Sequence, residues 1–322
     1  RRQRQMCIRD RYFTSCGTES DNWAIRLAAH QNRRVGKHII TTAVEHSAVL
    51  EPCKQLEQEG YAVTYLAPDR QGNITAQQVA DALREDTALV SVMLVNNETG
   101  CVFPVVEIAR LLRERGSRAL LHTDAVQAFG HIPLNVEQMH IDLLSVSAHK
   151  FHGPKGVGFL YIRKGVKLVP FMDGGAQEKN RRAGTSNVPG IVGMGEAAQL
   201  AAENMETAMA KVAAVRDHLI ARIEAEIPYA KLNGHRTNRL PGNAHLVVAS
   251  RNDFLPQGEI LRLGQRLHRV GADQLRLNEK ELSAYVRRCG MELTEPQRET
   301  LLHSCEGWFS AIYLNLHALA ER

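Results

Sequence analysis

Short apolar runs alternate with amphipathic stretches along most of this chain, and small polar residues gather where each run stops. The runs at 37–42, 61–66, 88–95, 118–121, 141–146 and 157–162 predict strands. The run at 88–95 is almost continuously apolar, as expected of a strand covered on both faces within a parallel sheet. Residues 12–15 read as the tail of a strand, 15–22 as a small polar loop and 23–29 as helical. Further helices are predicted at 105–113, from near Ser47, and through Leu83 from a capping box made by Thr75 and Gln78. Alternation of this kind predicts an α/β protein, a three-layer α/β/α domain with a mostly parallel sheet and helices on both faces.

In such a fold, ligands bind beyond the carboxyl ends of the strands. Thr18, His46, Asn97, Asp124, Gln127, His149 and Lys150 all fall at predicted strand ends, where one crevice collects them. Lys150 lies in the stretch SVSAHKFHGPKG, between an apolar run and a Gly/Pro turn. A lysine held there can lose its proton and attack a carbonyl. Taken singly, each residue has a plainer reading. Lys150 reads as a solvated lysine before a turn, His46 as a structural hydrogen-bonder, Asp124 as a helix cap and Gly17–Thr18 as an ordinary helix start. Taken together they meet the needs of pyridoxal 5'-phosphate. The lysine serves the aldehyde, the carboxylate the protonated ring nitrogen, and a helix N-terminus the phosphate. An imidazole can stack on the ring or shuttle protons.

Composition narrows the partners. The chain has 322 residues, 44% of them hydrophobic, enough for a full core. Its 40 Lys and Arg against 35 Asp and Glu do not imply nucleic acid. Six cysteines without a Cys-x-x-Cys pair argue against a zinc site and a disulfide framework, and fit a reducing cytoplasm. No apolar run is long enough to span a bilayer.

Several stretches, in order, resemble cysteine desulfurases of the class V aminotransferase family: FTSCGTESDN, TTAVEHSAV, VNNETG, HTDAVQAFG, SAHKFHGPKG, RRAGTSNVPGIVGMGEA and RLPGNAHL. The resemblance covers 12–247. It implies a fold type I pyridoxal-phosphate enzyme, a homodimer that takes sulfur from L-cysteine as an enzyme persulfide, leaves alanine, and passes the sulfur to an acceptor or iron–sulfur scaffold protein. By match, Lys150 is the cofactor lysine, Asp124 pairs with the ring nitrogen and His46 stacks on the ring. Asn97 and Gln127 meet the ring substituents, while Gly17, Thr18, Ser147 and His149 lie on the phosphate side. Thr185 matches the residue that reaches the neighbouring subunit's phosphate. A selenocysteine lyase-like enzyme of the same class is the alternative within enzymes, and a fragment of a transcriptional regulator is the alternative outside them.

The departures carry expectations of their own. The family's early Asp-Asn-Asn/Ala-Thr-Thr segment has no counterpart, nor has the arginine that grips the substrate carboxylate. No cysteine lies between Cys101 and Cys289, where the family places its persulfide loop. Sulfur transfer by this chain is therefore expected to be severely impaired. Residues 1–11 resemble a translated sequencing adapter and are expected to have no fold of their own. In 248–322, helices are predicted at 278–288, 298–304 and 309–319, with 248–253 ending a strand. The strings VVASRNDF, LRLNEKELSAYV and CEGWFSAIYLNL resemble the segment following the NTPase core of LuxR-type, maltose-regulator-like activators. No P-loop or helix-turn-helix accompanies them. The expectation is a chimera joined near 245–249, with a helical appendage.

Overall fold

The computed structural model describes residues 10–167, 169–227, 230–248, 274, 276–289, 291–307, 311–312 and 316. It divides into two units, Arg1–Ala249 and Ser250–Arg322.

The first unit is built on seven strands: β1 (Arg11–Thr14), β2 (His38–Thr42), β3 (Ala62–Leu66), β4 (Thr87–Ser91), β5 (Leu120–Asp124), β6 (Leu143–Ser147) and β7 (Gly158–Ile162). Their order is β1-β7-β6-β5-β4-β2-β3. The run from β3 to β6 is parallel, whereas β7 lies antiparallel to both β6 and β1. Helices α2 (Ser47–Gln58), α3 (Ala76–Ala82) and α4 (Val105–Glu114) connect the parallel strands. The Thr75–Gln78 capping box forms as the sequence predicts.

Alternate residues feed two cores. Ile40, Val90, Leu121, Leu144 and Val146 join α4 residues such as Ile108 and Leu112 on one face. Ile39, Leu89 and Leu143 join Trp23, Ile25 and Leu56 on the other. Both faces are therefore covered, as a parallel sheet requires.

Three boundaries differ from expectation. The fourth strand stops at Ser91 rather than 95, although Val92 and Leu94 still donate their N–H groups to the His122 and Asp124 carbonyls of β5. The fifth runs through Asp124, so the predicted strand at 118–121 starts and ends too early. Residues 15–22 are largely not a loop. Gly17–Asn22 is helical and continues through a π-turn, Trp23–Leu27, into Ala28–Gln31; together these form α1. Short polar side chains there bond locally instead of breaking the helix. Thr14 Oγ1 and Ser20 Oγ lie 2.8 Å apart, and Glu19 Oε2 accepts the Ser15 N–H at 2.8 Å. Strand β1 takes in Arg11, and Ile162 donates its N–H to the Asp10 carbonyl.

A 39-residue helix, α5 (Val188–Glu226), follows. Asn187 caps it by accepting the Gly190 N–H at 3.1 Å, and few of its residues are buried. A hairpin of β8 (Ala230–Asn233) and β9 (His245–Val248) ends the described part of this unit. Buried Arg239 ties that region to the strand-end loop at 96–100. Its Nη2 donates to Thr99 O and to Asn243 Oδ1, both at 2.9 Å.

In the second unit, α6 (Glu279–Arg288) and α7 (Glu295–Ser304) share a small core of Leu282, Val286, Leu301 and Cys305. Asn278 and Glu281 form a capping box. Cys289 and Cys305 occupy the positions closing the two helices. The predicted strand end at 249–253, most of the predicted helix at 309–319 and residues 1–9 lie outside the described residues.

Candidate active site

Lys150 sits on a 3₁₀ turn, Ala148–Phe151, that leaves β6 and returns the chain to β7. Its base is anchored. Ala148 donates to Val157 O at 3.1 Å, Gly153 donates to Ala148 O at 2.9 Å, and Phe151 is buried. His152 closes the turn at a φ of 68°. Lys150 itself is exposed.

Asp124 ends β5 and is buried, and its Oδ1 accepts the Val126 N–H at 2.8 Å. Burial pushes its carboxyl above the usual range, against the pull of that N–H and of the nearby His46 and Lys150 side chains. His46 and Lys150 thus bear on one carboxylate from two different strand ends. His46 is the N-cap of α2, its Nδ1 accepting the Ala48 N–H at 3.1 Å. A neutral His46 ring therefore carries its proton on Nε2.

The head of α1 closes the other side. A Cβ added at Gly17 would lie 2.7 Å from Val126 Cγ2 and 3.5 Å from Ser147 Cβ, so only glycine lets the helix start approach both strand ends. Thr18 is exposed on the first turn. Ser147 Oγ and His149 Nδ1 are 2.9 Å apart, and burial with Lys150 and Lys155 nearby holds the His149 imidazole below its ordinary range. Glu19 is gripped by Arg182 through two bonds of 2.8 and 3.0 Å. Burial opposes its charge, but Arg182 and Ser15 outweigh burial and keep the carboxyl low.

Gln127 lies three residues past Asp124 in the same turn, half-buried. Asn97 is half-buried in the loop after β4, its amide donating to Glu98 Oε1 at 2.9 Å. Thr185 is exposed in the loop before α5 and makes no hydrogen bond to a described residue. Sequence reasoning passed over a polar layer beneath these groups: Asp21, Glu45, Ser91, His122 and Ser145, all buried. Glu45 Oε1 accepts from Thr42 Oγ1 and Met93 N, each at 2.9 Å, and burial raises its carboxyl to about 8. Polar residues inside otherwise apolar strands were the available signal.

The set fits pyridoxal phosphate. A buried carboxylate with one N–H and no salt bridge among the described residues suits a protonated ring nitrogen, and the glycine-lined helix start suits a phosphate. Among the described residues no group of His, Cys, Asp and Glu could hold a metal ion, and no helix is long and apolar enough to cross a membrane.

Comparison with known proteins gives the family. The profile of the family described as Aminotransferase class-V matches residues 9–253. Cysteine desulfurase IscS of Methanosarcina thermophila is 52% identical over 235 residues, 73% of this chain and 57% of that enzyme. The Dictyoglomus turgidum counterpart is 51% identical, over 74% of this chain and 60% of its own length. A solved NifS-like protein superimposes with a TM-score of 0.69 at 41% identity, covering 72% of this chain and 63% of the other. SspA, solved in complex with cysteine, gives 0.66 at 31% identity, over 90% and 79%. The chain thus spans 57% and 60% of the length of these two desulfurases. With the profile covering more than half of its residues and the lysine, aspartate and histidine meeting at one sheet end, this chain belongs to the class V aminotransferase family.

Proposed function

We propose that this chain binds pyridoxal 5'-phosphate between Lys150 and Asp124, and that its reaction class is cysteine desulfuration: L-cysteine to L-alanine, with the sulfur passed to an enzyme thiol. The observation that carries the reading is that His46, the buried Asp124 carboxylate and Lys150 all stand at the carboxyl ends of parallel strands of one sheet, after β2, at the end of β5 and after β6. When bound, the cofactor supplies an electron sink for bonds at the substrate α-carbon.

The protein's own residues divide the remaining work. Ionised Asp124 would hold the ring nitrogen, and His46 would stack on the ring. Lys150 supplies the amine that meets the aldehyde and afterwards moves protons. Gly17, Thr18, Ser147 and His149 hold the phosphate, and Asn97 and Gln127 orient the ring substituents. Thr185 serves the neighbouring subunit's phosphate in a homodimer. Similarity to SspA, solved with cysteine, supports L-cysteine as substrate. A cytoplasmic setting and an iron–sulfur scaffold or other sulfur acceptor as partner belong to the same reading.

Sulfur transfer by this chain is severely impaired in this reading, because no thiol lies between Cys101 and Cys289. We assign 12–247 to the enzyme-like domain and 248–322 to a segment of separate, regulator-like origin. The division of the structure after Ala249 and the end of the family match at 253 support that boundary. The origin of the second segment rests on the three sequence strings alone.

Adding pyridoxal phosphate to the purified chain is expected to produce a visible absorbance band that Lys150→Ala abolishes. Equal absorbance from the variant would reject the assignment.

A further inference from the structure

Asn97 stands in the loop 96–102 that follows β4, and the stretch 233–243 grips that loop. Three consecutive loop carbonyls accept from it. Glu98 O takes Asn243 Nδ2 at 3.1 Å, Thr99 O takes Arg239 Nη2 at 2.9 Å, and Gly100 O takes the Leu240 N–H at 2.8 Å. Asn238 adds two bonds, its Nδ2 donating to Val102 O at 2.9 Å and its carbonyl accepting the Val102 N–H at 3.3 Å. Gly100 has a φ of 74°, and a Cβ there would lie 2.5 Å from Asn243 Oδ1, so only glycine lets the two stretches close up.

The loop's own amides are taken internally. Glu98 and Thr99 donate their N–H groups to Oδ1 of the buried Asn96, at 3.1 and 2.8 Å. Asn96 Nδ2 donates to Val44 O at 2.8 Å, two residues before His46. The loop carrying Asn97 is thus fixed to the turn carrying His46 by one side chain, and to 233–243 by its carbonyls.

Arg239 is the centre of the grip. It is 5% exposed, and each of its five N–H groups has an acceptor. Nε donates to Asn243 O at 3.1 Å, Nη1 to Asn233 O at 3.4 Å and His235 O at 3.2 Å, and Nη2 to Thr99 O and Asn243 Oδ1, both at 2.9 Å. All five acceptors are neutral oxygens. A buried cation held by dipoles alone is stable only while those dipoles stay in place. Four of the five belong to 233–243 and orient the fork; the fifth is the loop's Thr99 O. The guanidinium and the loop therefore order one another.

We propose that Arg239 is a positioning residue for the cofactor site: through Thr99 and Asn243 it sets the loop that carries Asn97, so that the hold on pyridoxal phosphate depends on the stretch 233–243. The role rests on the reading of Asn97 as a contact of the ring substituents; the clamp on the loop is a property of the chain alone.

Two measurements on the full chain test it. The first is hydrogen exchange read by mass spectrometry, without cofactor. Arg239→Lys keeps the charge but loses the planar five-donor fork. It is expected to speed exchange in peptides covering 96–102 by about tenfold or more and to leave those covering β5 and β6 unchanged. Asn243→Ala, which removes an acceptor of Arg239 and the donor to Glu98 O, is expected to act on the same peptides. The second is a pyridoxal phosphate titration followed by absorbance. Arg239→Lys is expected to weaken binding about tenfold, and to add nothing in a chain already carrying Asn97→Ala. Wild-type protection of 96–102 in both variants overturns the proposal, and so does a loss of protection spread over the whole sheet. Additive losses from Arg239→Lys and Asn97→Ala also overturn it, since Arg239 would then act other than through Asn97. A wild-type chain that shows no cofactor absorbance rejects the cofactor reading, while the exchange result still decides whether Arg239 holds the loop.

Discussion

The two faces of the central sheet come from the same strands and bury different things. On the α4 face, Ile40, Val90, Leu121, Leu144 and Val146 continue the apolar pattern to the strand ends. On the α1 face, Ile39, Leu89 and Leu143 give way one alternate residue later to Thr41, Ser91 and Ser145. On β5 the same face carries His122 and Asp124. The first face contributes burial without direction. The second exchanges part of that burial for a set of hydrogen bonds aimed at the crevice. Buried polar groups are stabilising only while every partner is present, so the two faces should respond to substitution by different rules.

The largest difference is expected from Leu121→Ala, which empties space on the α4 face and should lower unfolding free energy by ~2–5 kcal/mol. Denaturant unfolding measures it, and a loss under about 1 kcal/mol would mean that this face is loosely packed. Ser145→Ala removes far less volume, yet it strips the buried His122 ring of a hydrogen-bond partner. A loss of ~1–3 kcal/mol is expected, more than its lost atoms account for. Substituting Ser91 and His122 by apolar residues in the same chain should recover part of it, whereas on the α4 face a second truncation only adds to the first.

The third signal is a slope in pH. Glu45 is raised by burial from 4.5 to about 8, so the folded chain keeps a proton that the unfolded chain releases. The stability this contributes is full below 4.5 and is lost as pH rises through 8. Glu45→Gln should remove that decline, about 1.4 kcal/mol for each pH unit inside the window. His122 acts in the opposite sense. Its folded value of about 3 lies below the ordinary 6.5, so the stability it contributes is present above 6.5 and lost as pH falls towards 3. Melting temperatures taken across pH on the wild-type chain and Glu45→Gln separate the two slopes. Identical pH profiles would mean that Glu45 is not held neutral.

Much of this was legible in the chain itself. Lys150, Asp124 and His46 announced themselves because each interrupts the pattern where an apolar run stops. The parallel strands announced themselves because burial on both faces leaves little room for polar residues. Asp21 was not legible. It stands in a polar stretch that looks like a loop, yet the stretch is helical, with Glu19 and Ser20 side chains bonded to the nearby backbone. His122 and Ser145 lie within strands, where one polar residue reads as tolerated rather than useful until register places them side by side. Helix α5 escaped for the opposite reason. It buries so few residues that no apolar stripe marks it.

The anchored turn beneath Lys150 has a consequence for how reagents must arrive. With the backbone pinned at Ala148 and Gly153, the amine can travel only as far as its own four-carbon tether swings. The reacting carbonyl must be brought inside that arc. Reach, more than basicity, is then what a replacement at 150 would have to reproduce, and a shorter amine at the same post would be left stranded however reactive it was.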